Sequence, residues 1–149
     1  MNPCELIALI GLANSHYENG DAEQAITYYI QVIQHNGADA EIYYNLGNSY
    51  YMLGDNENAI VYYLKSCLLN PRKIECLYNL GNSFCNQGRY VEAIQYYLRV
   101  IDQDPLHDPA FYNLGFVYQL TNQLDQAIKT YMIAIKLNPS SAECHYNLA

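Results

Sequence analysis

The sequence predicts an all-α chain built from stacked helix pairs. Three observations carry this: a 34-residue internal period, helical apolar spacing inside each period, and a glycine or asparagine break midway through it. Gly47, Gly81 and Gly115 stand one period apart, as do Asn45, Asn79, Asn113 and Asn147, and Leu46, Leu80, Leu114 and Leu148. Ala25, Ala59, Ala93 and Ala127 keep the same step, and so do Pro71, Pro105 and Pro139. Residues 40–73 and 74–107 agree at 14 of 34 positions without a gap, where chance would give roughly two. Four repeats follow, 6–39, 40–73, 74–107 and 108–141, in one array spanning 1–149, with a fifth begun at Ala142 and cut at Ala149. A stop two turns into a helix pattern reads as a piece of a longer protein.

Within the second repeat, Tyr43, Leu46, Gly47 and Tyr50 recur at helical spacing, and Ala59, Tyr63 and Ser66 do so after Gly54. Each repeat is therefore a helix, a turn and a second helix. Gly20, Gly54 and Gly88 suit a left-handed residue ending the first helix, and the fourth repeat places Asn122 there. Asp21 and Asp55 follow as N-caps of the second helix, Asp21 with Gln24 three residues on. Proline closes that helix by disfavouring α geometry in the residue before it, and the first repeat has Gly37 instead. Gly47 and Ala59 form a small pair that should let the two helix backbones approach closely. Ala59→Leu should then overpack the hairpin at a cost of about 1–3 kcal/mol.

Composition narrows the function. At 149 residues and 51% hydrophobic, the chain can bury a core. A net charge of −8 argues against nucleic acid and anionic membranes, which need a basic surface. All of that net charge lies in residues 1–64, which hold eight acids and no Lys or Arg, so a partner meeting that half should be neutral to basic; the charge also serves solubility. Five cysteines, an odd number with no C-x-x-C spacing, fit neither a disulfide framework nor zinc, and point to a reducing, cytoplasmic setting. No apolar run reaches membrane-spanning length. Phosphate loops, nucleophile elbows and zinc-protease motifs are missing, so no catalytic residue, cofactor or metal is expected. His16 occupies the place of Tyr50, Phe84 and Tyr118 and reads as a core histidine. Cys67 and Cys76 fall on packing stripes, and Cys85 is the only groove candidate for a reactive thiol, with nothing basic nearby in sequence to lower its pKa.

Large apolar residues stand at the fourth place of each repeat (Leu9, Tyr43, Leu77, Phe111), followed by Leu12, Leu46, Leu80 and Leu114, a small residue, and so on to proline. Over residues 6–149 this pattern resembles the tetratricopeptide repeat family. The resemblance implies a right-handed α-solenoid of antiparallel helix pairs whose first helices line a concave groove for a protein or peptide. The groove would present Ile10, Asn14 and Tyr17, then Tyr44, Asn48 and Tyr51, then Tyr78, Asn82 and Cys85, and finally Tyr112, Phe116 and Gln119. Two asparagine files run there, Asn14, Asn48 and Asn82 beside Asn45, Asn79, Asn113 and Asn147. The second is similar to the asparagine ladder of the O-linked N-acetylglucosamine transferase superhelix. An Asn amide matches both polar groups of a peptide unit and so can read backbone; equally, it can bridge neighbouring helices. About half the tyrosines, Tyr29, Tyr63, Tyr97 and Tyr131 among them, hold core places. Glu41, Glu75 and Glu143 recur at the second place, at the groove edge for a basic partner or as first-turn acids favoured by the helix dipole. Places that in chaperone-binding members carry cations hold Ile10 or Tyr44, Glu75 or Pro109, and Asn79 or Asn113, so an acidic chaperone tail is not expected.

The leading expectation is an interaction module holding an extended or helical peptide. In that reading, replacing Asn48 and Asn82 by Ala weakens capture and leaves the melting temperature unchanged. The alternative is a substrate-recognition arm of an enzyme such as a glycosyltransferase, with catalysis encoded beyond Ala149. A further expectation is self-association through the open last hairpin, where Tyr146 and Leu148 lack a covering helix.

Overall fold

A computed structural model describes residues 3–35 and 38–139. They form eight helices: α1 (Pro3–Glu18), α2 (Ala22–Gln34), α3 (Ala40–Met52), α4 (Asn56–Leu69), α5 (Ile74–Asn86), α6 (Tyr90–Gln103), α7 (Asp108–Leu120) and α8 (Leu124–Leu137). No strand occurs among the described residues. The all-α class and the pairing of helices are thus as the periodicity predicts. Gly37 and everything from residue 140 on, including Glu143, Cys144, His145, Tyr146, Asn147 and Leu148, lie outside the described residues.

The chain gathers into two compact bodies, residues 1–79 and 80–149, with the boundary inside α5. In the first, α1 packs on α2, α2 on α3 and α3 on α4. Ala13, Ala25, Tyr29, Val32, Ile42 and Leu46 make its buried centre, with Leu6, Leu9 and Ile33 against them. In the second, α6 packs on α7 and α7 on α8. Leu80, Ala93, Tyr97, Val100, Leu114, Val117 and Tyr131 are buried there.

Local chemistry sets the helix ends. Gly20, Gly54 and Gly88 have φ of 80°, 75° and 71°, and Asn122 takes the same left-handed geometry at 59°, so each first helix ends where a Cβ is least welcome or best tolerated. Before each proline the chain is extended: Asn70, Asp104 and Asn138 share φ −133° with ψ of 87°, 91° and 86°. Asp21 and Asp55 accept from the Gln24 and Asn58 N–H groups, and Asp39 caps α3 through the Ile42 N–H. Arg89 and Gln123 stand at the same place in later repeats and make no side-chain cap.

A ring sits on Gly47: a Cβ there would lie 2.6 Å from Tyr63 Cδ1. Gly81 seats Tyr97 at 2.7 Å and Gly115 seats Tyr131 at 2.8 Å in the same way. The conserved period thus places a flat phenol face on a bare patch of the first helix, and Tyr29, Tyr63, Tyr97 and Tyr131 are among the largest fully buried side chains. In the first repeat the corresponding residue is Ala13, fully buried in one cluster with Tyr29.

Two alanine substitutions should therefore have opposite signs. Gly47→Ala overpacks by about 1–3 kcal/mol, only partly offset by about 1 kcal/mol of helix propensity. Gly11→Ala, where an added Cβ meets nothing within 4 Å, should stabilise by about 0.5–1 kcal/mol. Urea unfolding midpoints of the two variants check the pair.

Candidate functional site

A phenol buried to its ring must still satisfy its hydroxyl. Each core tyrosine reaches across its own hairpin to do so. Tyr29 donates to Asn14 Oδ1 at 2.7 Å, Tyr63 to Asn48 Oδ1 at 2.8 Å and Tyr97 to Asn82 Oδ1 at 2.7 Å. In the fourth repeat Phe116 holds the asparagine's place, and Tyr131 donates instead to Gln119 Oε1 at 3.0 Å, one turn along α7.

The second asparagine file joins the same points. Asn79 Nδ2 donates to Asn48 Oδ1 at 3.0 Å and meets the Tyr44 hydroxyl at 3.4 Å; Asn113 Nδ2 donates to Asn82 Oδ1 at 2.8 Å. Asn45 hydrogen-bonds the Tyr29 hydroxyl. The two files are therefore one series of nodes, each tying the first helix of a repeat, its second helix and the first helix of the next repeat. The structure brings together Asn14 with Asn45, Asn48 with Asn79, and Asn82 with Asn113. All six are half-buried.

Burial pushes the Tyr29 pKa from 10.0 up to about 12, against the opposing hydrogen bond from Asn45. Burial likewise raises Tyr63 far above the ordinary phenol value, with Tyr44 adding to the shift and Asn79 opposing it. Tyr44 is raised by burial too, opposed by Asn48 and by the Lys73 ammonium.

The aromatic groups named from sequence lie around the nodes, and Tyr44 touches one of them. Tyr17, Tyr44, Tyr51, Tyr78 and Tyr112 are half-buried, and Phe116 is 39% exposed. Tyr44 packs on Tyr63 and Tyr112 on Tyr131, with ring centroids 6.0 and 5.8 Å apart. Sequence reasoning missed Lys73, whose Nζ lies 2.7 Å from Glu41 Oε2 and 4.3 Å from the Tyr44 ring centroid. The two charges sit near corresponding ends of neighbouring first helices, which is the signal that could have paired them. His16 is half-buried rather than core: it stacks on Tyr28 at 5.3 Å and its Nδ1 lies 3.1 Å from Asp21 Oδ2. Burial raises the Cys85 thiol, which disfavours its thiolate. Among the described residues no group of three or more His, Cys, Asp or Glu could hold a metal ion, and no helix is long and apolar enough to cross a membrane.

Helical hairpins joined repeat to repeat by such nodes define a helical-repeat protein. Family models described as Tetratricopeptide repeat match residues 10–74, 74–106 and 109–141, and the chain belongs to that family. Its fold is accordingly the all-α solenoid class of helical pairs. Among solved structures it is similar to YrrB, "a TPR protein with an unusual peptide-binding site", at 23% identity and TM-score 0.91 over 95% of this chain and 73% of that one. MamA matches at 26% identity and TM-score 0.88, covering 92% and 80%. The first TPR of Spaghetti (RPAP3), bound to the HSP90 peptide SRMEEVD, matches at 20% identity and TM-score 0.71, covering 74% and 87%. No curated protein matches the chain.

The nodes overturn one expectation: Asn48 and Asn82 cannot be removed without cost in stability, because each accepts from a buried phenol. Asn48→Ala should destabilise by about 1–3 kcal/mol, and Tyr63→Phe in the same chain should recover part of that loss, a coupling that a double-mutant cycle measures. Alkaline pH gives a second check. Below pH 10 Tyr29 keeps its proton folded or unfolded; between 10 and about 12 only the unfolded chain releases it, so stability falls through that window. Urea midpoints across the window should fall less steeply for Tyr29→Phe than for the parent chain.

Proposed function

We propose that the chain is a non-catalytic, cytoplasmic scaffold that holds an extended or helical peptide segment on the exposed side of its first helices. The repeats at 6–39, 40–73, 74–107 and 108–141 are read as one array. The observation that carries this is the partly exposed aromatic rings on the first helices of each body: Tyr17, Tyr44, Tyr51 and Tyr78 in the first, Tyr112 and Phe116 in the second. Such rings give flat contact area at little entropic cost, and Phe116 offers an unsatisfiable apolar face to water. The asparagines Asn14, Asn45, Asn48, Asn79, Asn82 and Asn113 contribute chiefly by holding this surface in register. Two fold relatives support a peptide ligand through what is said of them, the peptide-binding site of YrrB and the bound peptide of Spaghetti.

The partner is neutral to basic. Asp21, Asp39 and Asp55 serve as caps, while Glu5, Glu18, Glu23 and Glu57 remain on the surface of α1, α2 and α4. An acidic tail would meet them with no excess of cations in the first repeat and most of the second to answer it.

Selection of a displayed peptide library on the chain should enrich neutral or basic sequences. Their affinity should drop about tenfold or more with Tyr51→Ala or Phe116→Ala, a loss of about 1.4 kcal/mol, with helix content retained. Enrichment of nothing, or of peptides indifferent to both variants, would overturn the reading.

A further inference from the structure

The cysteine count speaks against a disulfide framework, yet the fold brings two of the five together. Cys67 on α4 and Cys76 on α5 are both buried, at 8% and 0% exposure. Their Sγ atoms are 3.0 Å apart, about 1 Å longer than the ~2.05 Å of a disulfide bond. Cys76 Sγ also lies 3.3 Å from the Tyr63 carbonyl oxygen, which it can serve as donor. The same two places carry Ile33 and Ile42 one repeat earlier and Ile101 and Ala110 one repeat later. An apolar side chain therefore suffices for packing there, and only the joint between the second and third repeats has a thiol on both sides.

We propose that Cys67 and Cys76 form a redox modification site, at which hydrogen peroxide converts the thiol pair to an intrachain disulfide that staples α4 to α5. Cys67, the less buried residue of the two, attacks one peroxide oxygen as its thiolate. The O–O bond breaks, and the hydroxide released takes up the thiol proton as water, leaving a sulfenic acid on Cys67. Cys76 Sγ then attacks that sulfur, the S–O bond breaks, and the Cys76 proton leaves with the departing hydroxyl as a second water. Two thiols are oxidised by two electrons and one peroxide is reduced to two waters. The hydrogen bond with Cys67, and burial after it, raise the Cys76 thiol, which suits the second role rather than the first. The product closes a short loop through Asn70–Lys73 beside the Asn48–Asn79 node, so the joint becomes covalent where it is already hydrogen-bonded.

The whole chain is treated with hydrogen peroxide, alkylated under denaturing conditions and digested with trypsin without reductant. Cleavage after Lys65, Arg72, Lys73 and Arg89 separates the pair into peptides 66–72 and 74–89, the second of which also holds Cys85. The expected result is a link between these peptides that persists in Cys85→Ser and is absent from Cys76→Ser. The oxidised chain should melt about 5–10 °C above the reduced one, and dithiothreitol should reverse the shift. Links only between chains, oxidation of Cys67 to sulfinic acid with no link, or a link that leaves the melting temperature unchanged would each overturn the proposal. The comparison of oxidised with reduced parent chain needs no variant to fold.

Discussion

A phenol hydroxyl carried into a helical interior has to find an acceptor there, and the architecture follows from how this is met. Each core tyrosine lays its ring on a glycine or alanine of the preceding helix and spends its hydroxyl on an amide of that same helix. The ring fixes the spacing of the hairpin and the hydroxyl fixes its register. Because that amide oxygen has a second lone pair, it can also receive the asparagine of the following repeat. One atom thus serves both the inside of a repeat and the joint to its neighbour. Apolar packing alone would hold the helices together but leave their relative rotation loosely specified.

This arrangement changes what the exposed side of the first helices has to offer. From their places in the repeat, the asparagine files could equally read a partner's backbone or bridge neighbouring helices. In the fold their carbonyl oxygens at positions 14, 48 and 82 are turned to tyrosine hydroxyls, and the amides at 79 and 113 to those carbonyls. In the proposed reading a partner meets mostly aromatic edge and face, with carboxylates on nearby helices and the Lys73–Glu41 pair at one margin. A surface of that kind discriminates by shape and apolar content more than by hydrogen-bond pattern.

The fold was legible because its determinants are local and recur: left-handed residues at 20, 54, 88 and 122, prolines after extended residues, and helical apolar spacing can all be read in a single repeat. The caps at Asp21 and Asp55 belong to the same class. The site was legible only as a set of places. Which way an asparagine turns depends on a tyrosine fifteen residues on and an asparagine thirty-one residues on, and either choice satisfies the same amide. That the ring seated on Gly47 is the one from Tyr63, sixteen residues on, is likewise a matter of the folded hairpin. The contact of Cys67 with Cys76 was hidden because each looks like an ordinary packing residue until two successive repeats are placed side by side.

Phe116 has a consequence for how such a chain can grow. At that place the earlier repeats carry the amide that both settles their own tyrosine and greets the next repeat, whereas here the tyrosine has been settled by Gln119 and the greeting group is gone. A copy of the second or third repeat inserted among its fellows would arrive with both halves of the joint already written into it. A copy added after the fourth would meet Phe116 where its fellows meet that asparagine. Lengthening by duplication in the middle is therefore the path of least resistance, for a gene as much as for a designer.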